Sequence, residues 1–216
     1  MFHRTFIVLF AALSLFACDT NADASKFVAG EHFEVVAEKA TSKPEVKEFF
    51  SFYCSHCFAF EPFANNLSKN LPQGVALEKV HVDFLPAASP EMQNALSRAY
   101  VVGKNAGQGE QVASMIFNYL HRQQATFSTD ADIRSLLLVN DFDAATFDKS
   151  FNSMPVLSAA AKMKEHQLFW SENRVLTGVP MLLVNGKYKL KFDKLDPENF
   201  DAELQQLVSY LLAKKD

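Results

Sequence analysis

Residues 48–57, with the sequence EFFSFYCSHC, decide the fold of this chain. The run before the first cysteine is short, aromatic and nearly uncharged, which is typical of a strand buried on both faces. After the second cysteine, apolar side chains recur at the spacing of one helical face, at Phe60, Phe63 and Leu67. The sequence therefore places Cys54 and Cys57 where a buried strand passes into a helix.

The first of these cysteines would lie at the N-terminus of that helix. Unpaired backbone N–H groups and the positive end of the helix dipole favour an anion there, so the thiol of Cys54 is expected to lose its proton readily. A disulfide across so short a loop would be a weak staple, contributing only about 2 kcal/mol. The pair is therefore predicted to be a redox site that makes and breaks its disulfide.

Length and composition suit a globular protein with a large core. The 216 residues are 49% hydrophobic, enough for one domain or for a domain with an insertion. The 21 phenylalanines favour an aromatic-rich core over a cofactor site, and we expect no cofactor. The formal charge is −4 and no run is rich in Lys or Arg, which argues against nucleic acid as a partner.

The N-terminus is predicted to be a targeting segment. Arg4 precedes an uncharged apolar stretch, residues 6–17, that has the length of a signal-peptide core and is too short to span a bilayer. Residues 22–24, Ala-Asp-Ala, fit cleavage of a signal peptide comprising residues 1–24. Alternatively, Cys18 ends a lipoprotein-like box and would carry a lipid anchor. Either way the chain leaves the cytoplasm, most simply for a bacterial periplasm, where disulfides persist.

Strand-like and helical patterns follow in separate blocks. A buried strand at 46–53 and a second at 75–84, parallel to it, flank the helix after Cys57, in which Pro62 should cause a kink. From 86 to 173 the pattern is helical, with five helices predicted around 90–103, 112–120, 129–137, 143–151 and 153–170. The remaining predictions are an edge strand at 33–36, a hairpin of 181–184 and 188–190 joined by Asn185-Gly186, and a closing helix opened by Pro197.

These pieces, in this order, resemble the DsbA family of periplasmic thiol–disulfide oxidoreductases. The matching pieces are the leader, the buried strand, the Cys-Ser-His-Cys segment, the helical block, then Gly178-Val179-Pro180 and the segment 184–188, Val-Asn-Gly-Lys-Tyr. Together they cover nearly the whole mature chain. It implies a thioredoxin-like fold, a central mixed β-sheet flanked by helices, with an inserted all-helical subdomain. The implied divisions are 25–85 and 174–216 for the two parts of the thioredoxin-like domain and 86–173 for the insertion.

The resemblance implies that the protein donates disulfides to newly exported polypeptides. Cys54 would be the exposed nucleophile and Cys57 the buried resolving partner, and a cationic His56 would stabilise the Cys54 thiolate. Ser55 departs from the proline most familiar in this family and could shift the redox potential.

Opposite the cysteines, Pro180 resembles the cis-proline that faces Cys-x-x-Cys in thioredoxin folds, and Val179 before it is more typical of oxidases than of isomerases. Phe58 and Val179 are expected to contact client polypeptides.

Charged residues near the site also match the family. A lone buried carboxylate is costly, so Glu48 needs a partner, and we interpret Glu48, Lys79 and Glu61 as a proton relay below Cys57. The alternative is that they are charges at strand ends. His81 matches a family histidine beside the site, with a role in packing as well supported as one in chemistry. His32, His121 and His166 show no partner pattern and are predicted to be surface or helix-face residues.

Two rival functions use the same cysteines. A disulfide isomerase or reductase of the same fold would differ in direction, but such enzymes commonly dimerise through an added segment, and we expect a monomer. A periplasmic metal carrier could use Cys54 and Cys57, although one Cys pair lacks the second ligand pair of a zinc site, so we expect no metal. By family analogy, the reduced enzyme would be reoxidised by a quinone-linked membrane protein of the DsbB type.

Overall fold

The computed structural model describes residues 26–214. The predicted signal peptide, residues 1–24, and the candidate lipid site Cys18 lie outside the described residues. Within residues 26–214, none of the helices combines the length and the apolar character needed to cross a membrane.

A mixed five-stranded sheet forms the centre of the described chain. Its strands are β1 (Phe33–Val35), β2 (Val46–Phe50), β3 (Leu77–His81), β4 (Met181–Val184) and β5 (Tyr188–Leu190), in the order β1-β5-β4-β2-β3. β2 pairs parallel with β3 and antiparallel with β4, so it is covered on both edges. The predicted parallel pair, the hairpin of β4 and β5 and the edge position of β1 are all confirmed.

The helices lie between β2 and β3, between β3 and β4, and after β5. They are α1 (Ser55–Asn70), α2 (Pro90–Asn105), α3 (Gly109–Phe117), α4 (Asp130–Val139), α5 (Ala144–Ser150), α6 (Met154–Glu172) and α7 (Phe200–Ala213). α3 continues into a π-helical turn, Asn118–Arg122. Helices α2 to α6 follow one another between β3 and β4, as the helical pattern of that segment predicts.

Two apolar clusters hold helices against the sheet. One joins the inner faces of α1 and α7 to residues of β2 and β4, including Val46, Leu67 and Leu207. The other joins the C-terminal part of β2 to helices α2 to α6, with Phe50, Phe52 and Phe117 among its fully buried side chains. Cys57 belongs to this second cluster and Cys54 packs against it. Four residues, 51–54, separate the end of β2 from the start of α1.

Three predicted elements have wrong boundaries. The second buried strand, predicted at 75–84, is β3 and spans only Leu77–His81. β2 ends at Phe50, and the chain then turns: the N–H of Cys54 donates to the Ser51 carbonyl over 3.1 Å, which removes residues 51–53 from the strand. The closing helix α7 begins at Phe200 and not at Pro197, because the preceding residues form a turn in which Asn199 N–H donates to Asp196 O. α1 continues through Pro62 as far as Asn70.

Candidate active site

Cys54 is the N-cap of α1, with an extended backbone (φ −95°, ψ 115°). Its sulfur accepts a hydrogen bond from the backbone N–H of Cys57 over 3.3 Å, so it uses one of the unpaired donors at the helix start. The Cys54 side chain is half-buried, whereas Cys57 is fully buried. Ser55 and His56, between them, are exposed.

The environments of the two thiols differ in their effect on ionisation. The hydrogen bond with the Cys57 thiol, followed by the backbone N–H groups of Cys57 and His56, lowers the pKa of Cys54 from 9.0 to about 6 against the opposing effect of burial. The charge of His56 contributes least among the named causes. Burial, with the hydrogen bond to Cys54, raises the pKa of Cys57. At neutral pH the reduced site therefore holds one thiolate, on Cys54.

The peptide bond between Val179 and Pro180 is cis, as predicted, and it faces the nucleophile. Cys54 Sγ lies 3.4 Å from the carbonyl oxygen of Val179. Both residues of the cis bond are half-buried, so part of their surface beside Cys54 is accessible to solvent.

An apolar cavity of about 590 Å³ opens beside this loop. Ser55, His56 and Pro180 form its edge nearest the cysteines. The rest of its wall consists of apolar side chains: Ala59, Phe60, Phe63, Phe192, Pro197 and Phe200. The last three come from the segment before α7 and its first residue, and the sequence pattern does not place them near the cysteines.

Phe58 lies on the other side of α1 from this cavity. Its half-buried ring packs against Phe117, with ring centroids 5.8 Å apart, and stacks on His121. The structure therefore places Phe58 against the helical insertion, and Val179 is the predicted client-contacting residue that borders Cys54.

The predicted relay residues are brought together and buried. Lys79 Nζ lies 3.3 Å from Glu48 Oε2 and 2.5 Å from Glu61 Oε2. Burial raises the pKa of Glu48 against the opposing effect of Lys79, and apart from this lysine the Glu48 carboxyl group has no hydrogen-bond partner among residues 26–214. The two carboxylates together raise the pKa of Lys79, so it stays charged. Glu48 also contributes to the raised pKa of Cys57, which places the carboxyl group within electrostatic range of the buried thiol.

His81 holds the backbone just before the cysteines. Its Nε2 accepts the N–H of Phe52 over 3.1 Å, and its Nδ1 lies 2.8 Å from Ser97 Oγ. Burial lowers the pKa of His81 to about 3, so the ring is neutral and its proton is on Nδ1, facing the hydroxyl group.

His121 lies on a helix face, which is one of the two predicted positions, but it has partners that the sequence pattern does not reveal. His121 is half-buried, its Nε2 lies 2.8 Å from the Phe52 carbonyl oxygen, and its ring stacks on Phe58 with centroids 5.1 Å apart. The available signal was its spacing of four from Phe117, which puts both on one helical face. His32 accepts the Val28 N–H over 3.2 Å, and His166 is half-buried on α6.

No group of three or more His, Cys, Asp or Glu side chains in residues 26–214 is arranged to hold a metal ion.

Comparison with known proteins places these features in a family. The model of the DSBA-like thioredoxin domain matches residues 45–205. The thiol:disulfide interchange protein DsbA of Pectobacterium carotovorum subsp. carotovorum is 33% identical over 201 residues, which cover 90% of this chain and 93% of that protein. The same protein of Escherichia coli strain K12 is 31% identical with the same coverage. The crystal structure of the disulfide oxidoreductase DsbA from Proteus mirabilis superimposes with a TM-score of 0.73 at 28% identity, covering 87% of this chain and 98% of that one.

Proposed function

This chain belongs to the family of DSBA-like thioredoxin domains and is a thiol:disulfide oxidoreductase, and we propose that it donates its Cys54–Cys57 disulfide to exported proteins as they fold. The observation that carries the direction of transfer is the environment of Cys54. Its sulfur caps α1 and its pKa is lowered to about 6, so the reduced form is stabilised by a thiolate that the disulfide form lacks. A protein that favours its dithiol is an oxidant.

The catalytic cycle follows from the unequal exposure of the two sulfurs. A client thiolate attacks the half-buried Cys54 sulfur, the bond to Cys57 breaks, and a mixed disulfide joins the client to Cys54. A second client thiolate then attacks the client's sulfur in that mixed disulfide. Cys54 departs as a stabilised thiolate, the client gains a disulfide, and two electrons remain on the enzyme as its dithiol. His56 and Ser55, exposed beside Cys54, border the path of both steps.

The departing Cys57 sulfur needs a proton, because its raised pKa makes the buried thiolate unfavourable. We assign this role to Glu48, whose own raised pKa keeps the protonated form available. Lys79 then stabilises the carboxylate that remains, and Glu61 shares the lysine charge from the side of α1. During reoxidation the Cys57 thiol gives its proton back to the Glu48 carboxylate. Glu48, Lys79 and Glu61 therefore act together as a proton relay.

The cis-proline loop and the apolar cavity are the proposed client-binding site. The Val179 backbone faces Cys54, and an extended client segment can pair with it as a short added strand. Apolar client side chains next to the reacting cysteine would enter the phenylalanine-lined cavity beyond Pro180. Because Phe58 packs on the helical side of α1, it supports the site from behind and is not a wall of this cavity.

The cellular setting is also part of the proposal. The leader at residues 1–24 supports a periplasmic location, and the alternative of a lipid anchor at Cys18 keeps the same compartment. A quinone-linked membrane protein of the DsbB type is the proposed reoxidase, and the enzyme is proposed to act as a monomer. We retain residues 86–173 as the inserted helical subdomain, since α2 to α6 follow one another there.

The redox equilibrium with glutathione tests the direction of transfer. Purified protein, with the leader removed, is equilibrated in glutathione buffers of varied ratio, trapped with acid and analysed for free thiols. An oxidant remains largely dithiol in buffers that oxidise ordinary protein dithiols. A protein that is mainly disulfide under those conditions would be a reductase or isomerase, and the proposal would be wrong. Cys54→Ser and Cys57→Ser variants, each with one thiol, calibrate the trapping.

A further inference from the structure

The segment between β2 and Cys54 is held from two sides by two histidines that come from different parts of the fold. His81, on β3, accepts the backbone N–H of Phe52, and His121, in the π-helical turn after α3, lies 2.8 Å from the carbonyl oxygen of the same residue. Phe52 is two residues before the nucleophile. Both polar groups of its backbone, the N–H and the carbonyl oxygen, are therefore hydrogen-bonded to a histidine.

The hydrogen bond from His121 has a defined direction. A carbonyl oxygen only accepts, so Nε2 of His121 must carry the proton and donate it to Phe52. His81 has the opposite arrangement, because its Nε2 is the acceptor. The two imidazoles therefore cannot be exchanged for one another, and loss of the His121 donor would leave the buried Phe52 carbonyl without that partner.

His121 also contacts the chain on the far side of Cys54. Its ring stacks on Phe58 at an interplanar angle of 9°. Phe58 is in the first turn of α1, and its backbone N–H donates to the Cys54 carbonyl over 3.0 Å. One side chain of the helical insertion thus touches the residue two positions before the nucleophile and the residue four positions after it.

The local backbone explains how His121 reaches this position. Phe117 and His121 lie on one face of the helix, and the turn that follows Phe117 is π-helical. A π-helical turn widens the helix locally and is often found at functional sites. Gln124 donates through its side-chain amide to the His121 carbonyl over 2.7 Å, which fixes the end of the turn.

We propose that His121 is a positioning residue for disulfide exchange: by holding the Phe52 carbonyl and the Phe58 ring, it keeps the Cys54 sulfur at hydrogen-bond distance from the Cys57 N–H. The thiolate is stabilised only while its sulfur stays over the start of α1, so the position of the backbone around Cys54 sets the redox equilibrium. This inference rests on the proposed oxidant function, because a stabilised thiolate is what drives that function.

Two substitutions separate the roles of the donor and of the ring. His121→Phe keeps an aromatic ring against Phe58 but removes the donor to Phe52. His121→Gln keeps an amide donor and removes the ring. His166→Phe, on α6, is the matched control for replacing a histidine by phenylalanine. Each variant is measured for the pKa of Cys54, from the ultraviolet absorbance of its thiolate, and for its equilibrium with glutathione.

His121→Phe should raise the Cys54 pKa and shift the equilibrium towards the disulfide by about threefold to tenfold, the range expected for one hydrogen bond. The Cys54 pKa and the glutathione equilibrium of His121→Gln should lie closer to the wild-type values. Those of His166→Phe should equal the wild-type values. If His121→Phe does not fold, His121→Leu, which also lacks the donor, is judged by the same criteria.

One result would overturn the inference: the glutathione equilibrium of His121→Phe stays within about twofold of the wild type, while the free energy of unfolding falls equally in both redox forms. His121 would then have only a structural role. A larger shift in His121→Gln than in His121→Phe would overturn it too. The wild-type equilibrium tests the oxidant function separately, since the inference depends on ratios between variants.

Discussion

Lowering the pH from 7 to 5 should remove most of the oxidising power that Cys54 supplies. The pKa of Cys54 is lowered in the folded dithiol from 9.0 to about 6. A group with a depressed pKa stabilises the folded protein fully above its unfolded pKa, and this stabilisation is lost as the pH falls through the folded pKa. The disulfide form has no such group, so only the dithiol form changes.

The size of the effect at pH 7 is set by the interval between pH 7 and the folded pKa. That interval is about one pH unit, and one unit corresponds to about 1.4 kcal/mol in favour of the dithiol. Cys54 is half-buried, so solvent screening reduces the figure to roughly 1 kcal/mol, which is about fivefold in the equilibrium constant. At pH 5 the thiol is almost wholly protonated and the advantage falls below about 0.1 kcal/mol.

The assay is the glutathione equilibrium measured at several pH values between 5 and 8. Dithiothreitol, whose thiols have ordinary pKa values, is the reference and should show little change below pH 7. For the protein, the dithiol fraction should decline from pH 7 to pH 5. The difference in free energy of unfolding between the dithiol and disulfide forms should decrease in parallel. If the equilibrium constant is the same at pH 5 and pH 7, Cys54 does not ionise in this range and the account of the site is wrong.

Three substitutions test the neighbours of the two sulfurs. His56→Leu should raise the Cys54 pKa by less than about one unit, because an exposed charge contributes at most about 1 kcal/mol and the helix N-terminus remains; an unchanged titration curve would remove His56 from the mechanism. Glu48→Gln should slow client oxidation and flatten its pH–rate profile, whereas Glu78→Gln, on the exposed side of β3, should not, and equal rates in both would refute the relay. Lys79→Met should lower the free energy of unfolding at pH 7 by about 3–5 kcal/mol, because it removes the cation that pairs with the buried carboxyl groups of Glu48 and Glu61. At acidic pH part of this loss should be restored, because the carboxyl groups become protonated. Lys69→Met, at an exposed ion pair, is the control and should change the free energy of unfolding little. Both variants are measured by chemical denaturation.

Features encoded by neighbouring residues could be predicted from the sequence. The buried strand, the cysteine at the helix start and the cis bond at Pro180 depend on hydrophobic pattern, helix geometry and a short motif. The end of β2 could not be placed, because the turn is fixed by the hydrogen bond from Cys54 to Ser51, which competes with continued strand pairing. The start of α7 was missed for a similar reason: Asp196 caps a turn that a proline signal does not reveal.

The parts of the site that escaped prediction depend on contacts between distant segments. Phe192 and Phe200 become cavity walls only when α7 packs on α1. The partner of His121 is Phe52, 69 residues away along the chain, and local periodicity carries no information on such a pair. The Cys-Ser-His-Cys segment thus specifies which sulfur can be a thiolate, but the folded environment decides how stable that thiolate is. Because both histidines that hold Phe52 come from outside that segment, two chains with the same four residues can differ in oxidising power, and variation at position 121 is a physical route to that difference.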